Sequence, residues 1–321
     1  MAINRGNIAK QLLPGLNAVF GMEYGSIDDE HKACFEIENS DRAFEEEVLF
    51  TGFGEAPTKS EGAAVQYDSA TESYTSRYTH DTVALAFAVT EEAMEDNLYD
   101  TFAKVRARGL ARAMASTKQV KGANVFNNGF SSSYPGGDGV PLFSDSHPII
   151  TGGSQDNKLA ASDLSEVTVE NALIAIQQTK DDRNILTGTR AESLHIPPDL
   201  QFTAEKILAS TLSTTTSHYG WAAGGSGPTN KDGVTNVNDV NAVRSMGMLP
   251  KGYFVNHRFT DGNAYFFKTD VPNGTKMFVR APLATKMEPD FDTGNLRFKA
   301  RERYSFGWSD WRAYYGSAGS S

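Results

Sequence analysis

The sequence predicts a mixed α+β protein organised around one long helix. A stretch with an apolar residue at every third or fourth position runs from Thr90 to about Gly122. A run with period-two alternation precedes it, within residues 41–89, and another closes the chain from Leu296 to Tyr315.

The helix is read first. Thr90 can cap its start by accepting from a first-turn N–H. Glu91, Glu92, Glu95 and Asp96 crowd one end and Lys118 and Lys121 the other, as the helix dipole favours. Met94, Leu98, Phe102 (or Thr101), Val105, Gly109, Ala113 and Val120 form a narrow apolar stripe. At 1.5 Å per residue the rod is roughly 45–50 Å long, so other segments must lie across it. Gly109 is read as the place where another backbone comes close.

Composition sets bounds. The 321 residues allow about two domains. Hydrophobic residues are 39% and charged ones 22%, as in a soluble globular protein. No apolar run approaches the ~20 residues of a membrane span. The start, MAINRGNIAKQLLPGL, has no signal-peptide core. The single cysteine, Cys34, excludes an internal disulfide framework, points to a reducing compartment, and is read as a small packed residue. A net charge of −10 argues against tight nucleic-acid binding, though not against a container that holds nucleic acid.

Residues 1–40 read as an extended or partly helical arm, because Pro14-Gly15 and Gly21 interrupt a helix. Residues 41–89 read as one long hairpin. Its parts are a strand at Val48–Phe53, a polar tip at Gly54–Ala64, and alternation at Tyr74, Ser76 and Tyr78 and again at Val83, Leu85, Phe87 and Val89. Such a ribbon is marginal alone and is most sensible lying on a neighbouring subunit. Asn124–Pro148 and Thr151–Lys158 read as loops. Helices follow at Asp163 to about Lys180 and from Pro197-Pro198 to about Leu208, with a strand at Ser193–Ile196 between them. Residues 211–236 are Ser/Thr/Gly-rich and read as mobile. Strands are expected at Tyr253–Asn256, Ala264–Lys268, Met277–Arg280 and Leu296–Tyr304. Ser305–Trp308 and Trp311–Tyr315 continue the last of these, which should pack on the long helix. A disordered tail is expected to end the chain.

Catalytic fingerprints are missing. His31, His80, His147, His195, His218 and His257 include no local ligand pair. There is no HExxH, Cys-x-x-Cys, EF-hand or phosphate-binding loop, and Gly224–Gly227 lacks the strand and helix of a nucleophile elbow. His147-Pro148 is read as a turn, Glu45–Glu47 as a solvated face, and Trp308, Trp311, Tyr314 and Tyr315 as core or subunit-contact aromatics. No catalytic, cofactor-binding or metal-binding residue is assigned, and the chain is read as no enzyme.

The order of parts carries a resemblance. TEEAMEDN opens the long helix, NVFNNGF and GGDGVPLFSDSHP follow it, and DTGNLRFKARERYSFGWSDWRAYYG ends the chain. This resembles the major capsid protein of tailed bacteriophages, with the HK97 fold, over most of the chain. The resemblance implies an N-terminal arm (1–40), an extended loop overlapping an adjacent subunit (41–89), and a peripheral domain (90–196) whose spine is the long helix. It further implies an axial domain meeting its copies at capsomer centres (197–280) and a return to the peripheral domain with the tail (281–321). It implies self-assembly into hexamers and pentamers of an icosahedral head that encloses double-stranded DNA without sequence-specific binding. No cofactor and no membrane are implied. The implied partners are further copies of the chain, a scaffolding protein, a portal protein and, as a further candidate, a decoration protein, in a virion assembled in the host cytoplasm. Because the arm starts almost at once, a separate scaffolding protein is implied, unless a segment has been removed. Lys59, the only lysine of the ribbon, suits the cross-link some family members make, but reads first as an ordinary ion-paired surface lysine. The acidic bulk is expected to keep packaged DNA from sticking, an expectation that a strongly basic inner face would overturn. An encapsulin-like compartment and a β-rich binding protein are the alternatives.

Overall fold

The computed structural model describes residues 5–90, 92, 99–211, 240–290 and 293–320. In chain order the elements are α1 (Arg5–Gly25), α2 (His31–Cys34), β1 (Glu36–Asn39), β2 (Phe44–Phe50), β3 (Glu72–Thr79), β4 (Asp81–Val89) and α3 (Tyr99–Asn127). Then come β5 (His147–Pro148), β6 (Ser154–Gln155), α4 (Glu166–Gln177), β7 (Ala191–Ile196), α5 (Gln201–Ala209), α6 (Ala242–Ser245), β8 (Tyr253–Val255) and β9 (Tyr265–Thr269). The last strands are β10 (Thr275–Pro289), β11 (Leu296–Trp308) and β12 (Tyr314–Ser317). The chain divides into two compact units, one of residues 1–47, 75–126 and 275–309, the other of 48–74, 127–274 and 310–321.

The first unit is a four-stranded sheet in the order β1-β10-β11-β4 with α3 on one face. β11 runs antiparallel to β4, pairing Leu296 with Val89 through to Tyr304 with Asp81. Against this face α3 sets Ala103, Ala107 and Ala111, all 0% exposed, with Leu110 and Met114 beside them. These positions fall on one helical face, and alanine lets the helix axis come close enough to touch Phe298 and Ala300. The expected stripe is therefore the wrong face. Val105 is 59% exposed and Val120 41% exposed, and nothing lies within 4 Å of where a Cβ on Gly109 would stand. The close approach is at Gly122 instead, where a Cβ would meet His31 and Phe306 at 3.3 Å. Gly122 thus does not end the helix, which continues to Asn127 and buries Phe126 edge-on against Phe35. The helix opening, including Met94 and Leu98, falls largely on residues outside those described.

Three further expectations need correcting here. α1 is a helix that runs through Pro14, because Leu16 and Phe20, one turn apart, are buried against α3 and β11. Tertiary burial outweighs the local penalty of a proline. The hairpin of residues 41–89 is really two structures. β2 and β3 pair as a two-stranded ribbon, whereas β4 joins β11. The switch is at His80, buried between the hydroxyls of Ser40 (2.9 Å) and Ser305 (3.0 Å). Period two is the same in both sheets, so alternation alone does not reveal the change of partner. Lastly, β10 runs to Pro289 rather than ending at Arg280, because register shifts between Val279 and Ala284 absorb Pro282.

The second unit is a four-stranded sheet in the order β12-β9-β7-β8. Val169 and Ile176 of α4, Leu194 and Ile196 of β7, Ala204 of α5 and Phe267 of β9 form its core. α4 starts from a capping box made by Ser165 and Thr168. The closing segment does not continue β11 as one strand. The chain leaves that sheet at Trp308, turns through a 3-10 helix at Trp311–Ala313, and pairs as β12 with β9. The tail is ordered as far as Ser320: Ser317 is buried and donates to Ala160 O (2.8 Å), and Gly319 packs against Asn263 at φ +70°, which favours glycine. The stretch read as mobile falls mostly on residues 212–239, outside those described.

Two predictions follow from the packing. Ala107→Leu should overfill the helix–sheet contact and cost about 1–3 kcal/mol in urea unfolding, while Gly109→Ala should be neutral or stabilise by up to about 1 kcal/mol. The second concerns His195, which is buried in the β7 sheet and held by burial at a pKa of about 3. The native state keeps it neutral while the unfolded chain takes a proton below about 6.5, so stability is full above that pH and falls as pH drops toward 3. His195→Gln should flatten the slope of unfolding free energy between pH 6 and 4 by up to about 1.4 kcal/mol per pH unit, read by denaturant titration.

Candidate functional site

The histidines are distributed through the fold rather than gathered. His31 receives burial and a Gln119 contact, His80 its two hydroxyls, and His195 the hydroxyl of Ser193 at 3.0 Å. His218 lies outside the described residues, and His257 is exposed. Among the described residues no three His, Cys, Asp or Glu side chains are placed to hold a metal ion. Cys34 is buried, as its packed reading requires.

His147 is the nearest thing to a catalytic group. It is not an exposed turn residue but lies on β5 with 0% exposure, Nδ1 at 2.6 Å from Asp138 and Nε2 at 3.0 Å from Asn157 Oδ1. An acid–base dyad would offer the second nitrogen to a nucleophile or a substrate. Here that nitrogen faces a side-chain amide whose own nitrogen donates to the carbonyls of Leu142 (2.7 Å), Trp311 (3.1 Å) and Tyr314 (2.9 Å). His147 also stacks on Trp311 at 4.5 Å. The group is a strut between the 138–157 loop and the C-terminal segment. Trp311, Tyr314 and Tyr315 are buried, as core aromatics should be, and Trp308 is half-buried.

Buried charges are likewise closed on one another. Lys118 meets Glu302 at 2.6 Å, and Arg312 meets Asp182 at 2.7 Å and Asp310 at 3.5 Å. Burial raises the Asp310 carboxyl, with Arg312 opposing it. Glu47 does not belong to a solvated face: it takes the buried Lys276 ammonium, which also holds Glu38 at 2.9 Å. A cleft of about 360 Å³ is lined by Asp156, Lys158, Gln178, Lys180 and Tyr315 among others. Burial pushes the Tyr315 phenol up to about 12, and its hydroxyl is already bonded to Thr179 at 2.5 Å. The cleft brings together no nucleophile and base.

What the structure leaves open is surface. Beyond β2 and β3 the chain forms an irregular tip whose base is tied by Thr51 N–H to Thr71 O (2.9 Å) and by Gly54 N–H to Asp68 (2.7 Å). Arg183 donates to Ser69 O at 2.6 Å, and the Tyr74 hydroxyl to Pro148 O at 2.5 Å. Arg183 escaped sequence reading because a lone arginine in a polar loop carries no pattern. The tip exposes Val65, Phe53 (65%) and Tyr67 (95%), and Phe50 is exposed at the end of β2. Lys59 is exposed there, with no ion pair among the described residues. Elsewhere in the second unit Phe202, Leu186, Ile174 and Met246 are exposed. Exposed apolar side chains mark an interaction surface where they cluster, and single ones are ordinary.

Residues 72–317 match the family model described as phage capsid protein. No curated protein matches the sequence. Solved structures with a similar fold include a virus-like particle from Pyrococcus furiosus, with TM-score 0.51 and 11% identity over 95% of this chain and 98% of that one. The capsid of a native GTA particle gives TM-score 0.53 and 14% identity over 92% of each chain. That of an empty GTA particle gives 0.53 and 11%, over 92% of this chain and 91% of the other.

Arg183→Ala should release the tip without unfolding the second unit. Limited proteolysis should cut residues 54–68 several-fold faster, while unfolding free energy changes by less than about 1 kcal/mol, as for other exposed contacts.

Proposed function

Since the chain belongs to the phage capsid protein family and has the HK97-like capsid fold, we propose that it is a major capsid protein forming the hexamers and pentamers of an icosahedral head around double-stranded DNA. It is a structural protein of the virion capsid and not an enzyme. The observation that carries the finer reading is the ribbon tip. Phe53 and Tyr67 stand in water on a segment with no core of its own, which is how a subunit is built when a neighbour completes it.

We assign residues 1–40 to the arm and 41–89 to the extended loop region, whose last strand, β4, is built into the first unit's sheet. Residues 90–196 and 281–321 are assigned to the peripheral domain and 197–280 to the axial domain, whereas the compact units part at 126/127 and 274/275 and place 310–321 in the second unit. Overlapping loops supply many weak contacts at once, and multivalency turns these into a stable lattice. The partners on this reading are other copies of the chain, a scaffolding protein, a portal protein and a candidate decoration protein, with assembly in the host cytoplasm. DNA is enclosed without sequence-specific contacts.

Sedimentation and negative-stain microscopy of the expressed chain, alone and with its scaffolding partner, test this. Rings, capsomers or closed shells are expected. A monomer of 34.9 kDa that never associates would overturn the reading.

A further inference from the structure

The change of sheet between β3 and β4 is bridged by one side chain. His80 lies between Thr79, the last residue of β3, and Asp81, the first of β4, and is 5% exposed. Its Nε2 is 2.9 Å from the hydroxyl of Ser40, just after β1, and its Nδ1 is 3.0 Å from that of Ser305 in β11. Ser40 Oγ also lies 2.7 Å from Glu45 Oε1 in β2, and its N–H donates to Val279 O of β10 at 3.0 Å. These contacts fix a direction. Ser40 has one hydroxyl proton and a carboxylate only accepts, so that proton goes to Glu45. Ser40 Oγ then accepts from Nε2–H, which leaves Nδ1 to accept from the Ser305 hydroxyl. The run from Ser305 through His80 and Ser40 to Glu45 is complete with a neutral ring.

A proton on Nδ1 breaks the run. Ser305 Oγ would have to accept instead of donate, and its own proton would lose its partner on a residue only 6% exposed. Charge adds to this. Glu45 of β2 faces the ring, but so do Arg280 of β10 and Arg303 of β11, and neither arginine has an ion pair among the described residues. Asp81 is taken up on the α3 side by Lys121 at 2.5 Å. A charged ring would therefore be a third cation beside one carboxylate. Burial first and Arg303 next hold the His80 pKa below its ordinary value, with Glu45 opposing them.

We propose that His80 is an acid-released clasp: neutral, it ties the root of the β2–β3 ribbon to β10 and β11, and protonated, it lets go of Ser305 and allows residues 40–45 and 79–81 to open. The ties further along, Glu47 with Lys276 and the Tyr78 hydroxyl with Ser309 at 2.5 Å, contain no imidazole, so the loosening is local. The clasp belongs to a single chain and does not rest on the capsid reading. The closed form takes a proton less readily than the open one, so the clasp has its full strength above pH about 6.5 and loses it as the pH falls below that.

Amide hydrogen exchange of the full chain, corrected for the intrinsic pH dependence of exchange, tests this. From pH about 7.5 to about 5, protection of residues 40–46 and 79–81 should fall at least about fivefold, while that of residues 296–302 in β11 changes less than about twofold. His80→Gln keeps a donor and an acceptor but does not titrate, so its protection at the root should change less than about twofold over the same range. Arg303→Gln removes an opposing charge and should make the acid loss smaller than in the wild type. Thermal unfolding at neutral pH checks that each variant folds, and if His80→Gln does not, Arg303→Gln decides alone. Wild-type protection that holds in acid, an acid loss that persists in His80→Gln, or one that Arg303→Gln leaves unchanged or enlarges would overturn the proposal.

Discussion

The first unit depends on how closely α3 lies against its sheet. Ala103, Ala107 and Ala111 remove the side chains that would hold the helix off, so Phe298, Phe87, Met287 and Leu283 fill the space from the sheet side. The same closeness recurs at Gly122, where His31 and Phe306 need the missing Cβ. Burying this seam uses the apolar side chains of β4, β10 and β11 on one face only. The other face is left free for charge, and the outward side of α3 keeps Val105 and Val120 in water.

The chain's ionisable groups divide into two kinds. Those inside are matched within their own unit: Glu302 with Lys118, Glu47 and Glu38 with Lys276, Asp182 and Asp310 with Arg312. Isolating any member would leave a buried charge, which is costly, so these contacts fix local geometry more than they add stability. Those outside are mixed, with exposed pairs such as Lys32 with Asp29 and Lys251 with Glu192 beside a run of cations at alternate positions of β11. A total of −10 does not describe how these charges are placed.

The sequence revealed element types better than partners. The long helix, the β11 strand packed on it and the helix after Asp163 follow from periodicity, which is local. The errors share one cause, which is that contact partners are set by residues distant in sequence. Gly109 and Gly122 look alike in a helix, and only Phe306, far along the chain, distinguishes them. Pro14 reads as a helix breaker until Leu16 and Phe20 find α3. His80 is an ordinary polar residue until Ser40 and Ser305 pin it at the change of sheet. No catalytic fingerprint was visible, and the serine–histidine contacts of the described structure, at His80 and His195, are buried. The surface features were legible only as composition, because exposure of Phe53 and Tyr67 is a property of the fold.

A subunit built this way is deliberately incomplete. A hairpin with an irregular tip of about twenty residues gains little from its own contacts, which are a few backbone bonds and the grip of Arg183. Ordering that tip costs conformational entropy in an isolated chain, and exposed phenylalanine and tyrosine add an unfavourable hydration term. On the capsid reading, both are offset when a neighbouring copy covers the tip. On that reading each contact can be individually weak, so that a misplaced subunit leaves again, while many of them together hold the shell. Weak, reversible and repeated contacts are what a shell needs to anneal its errors, and a rigid, self-satisfied ribbon would forfeit that property.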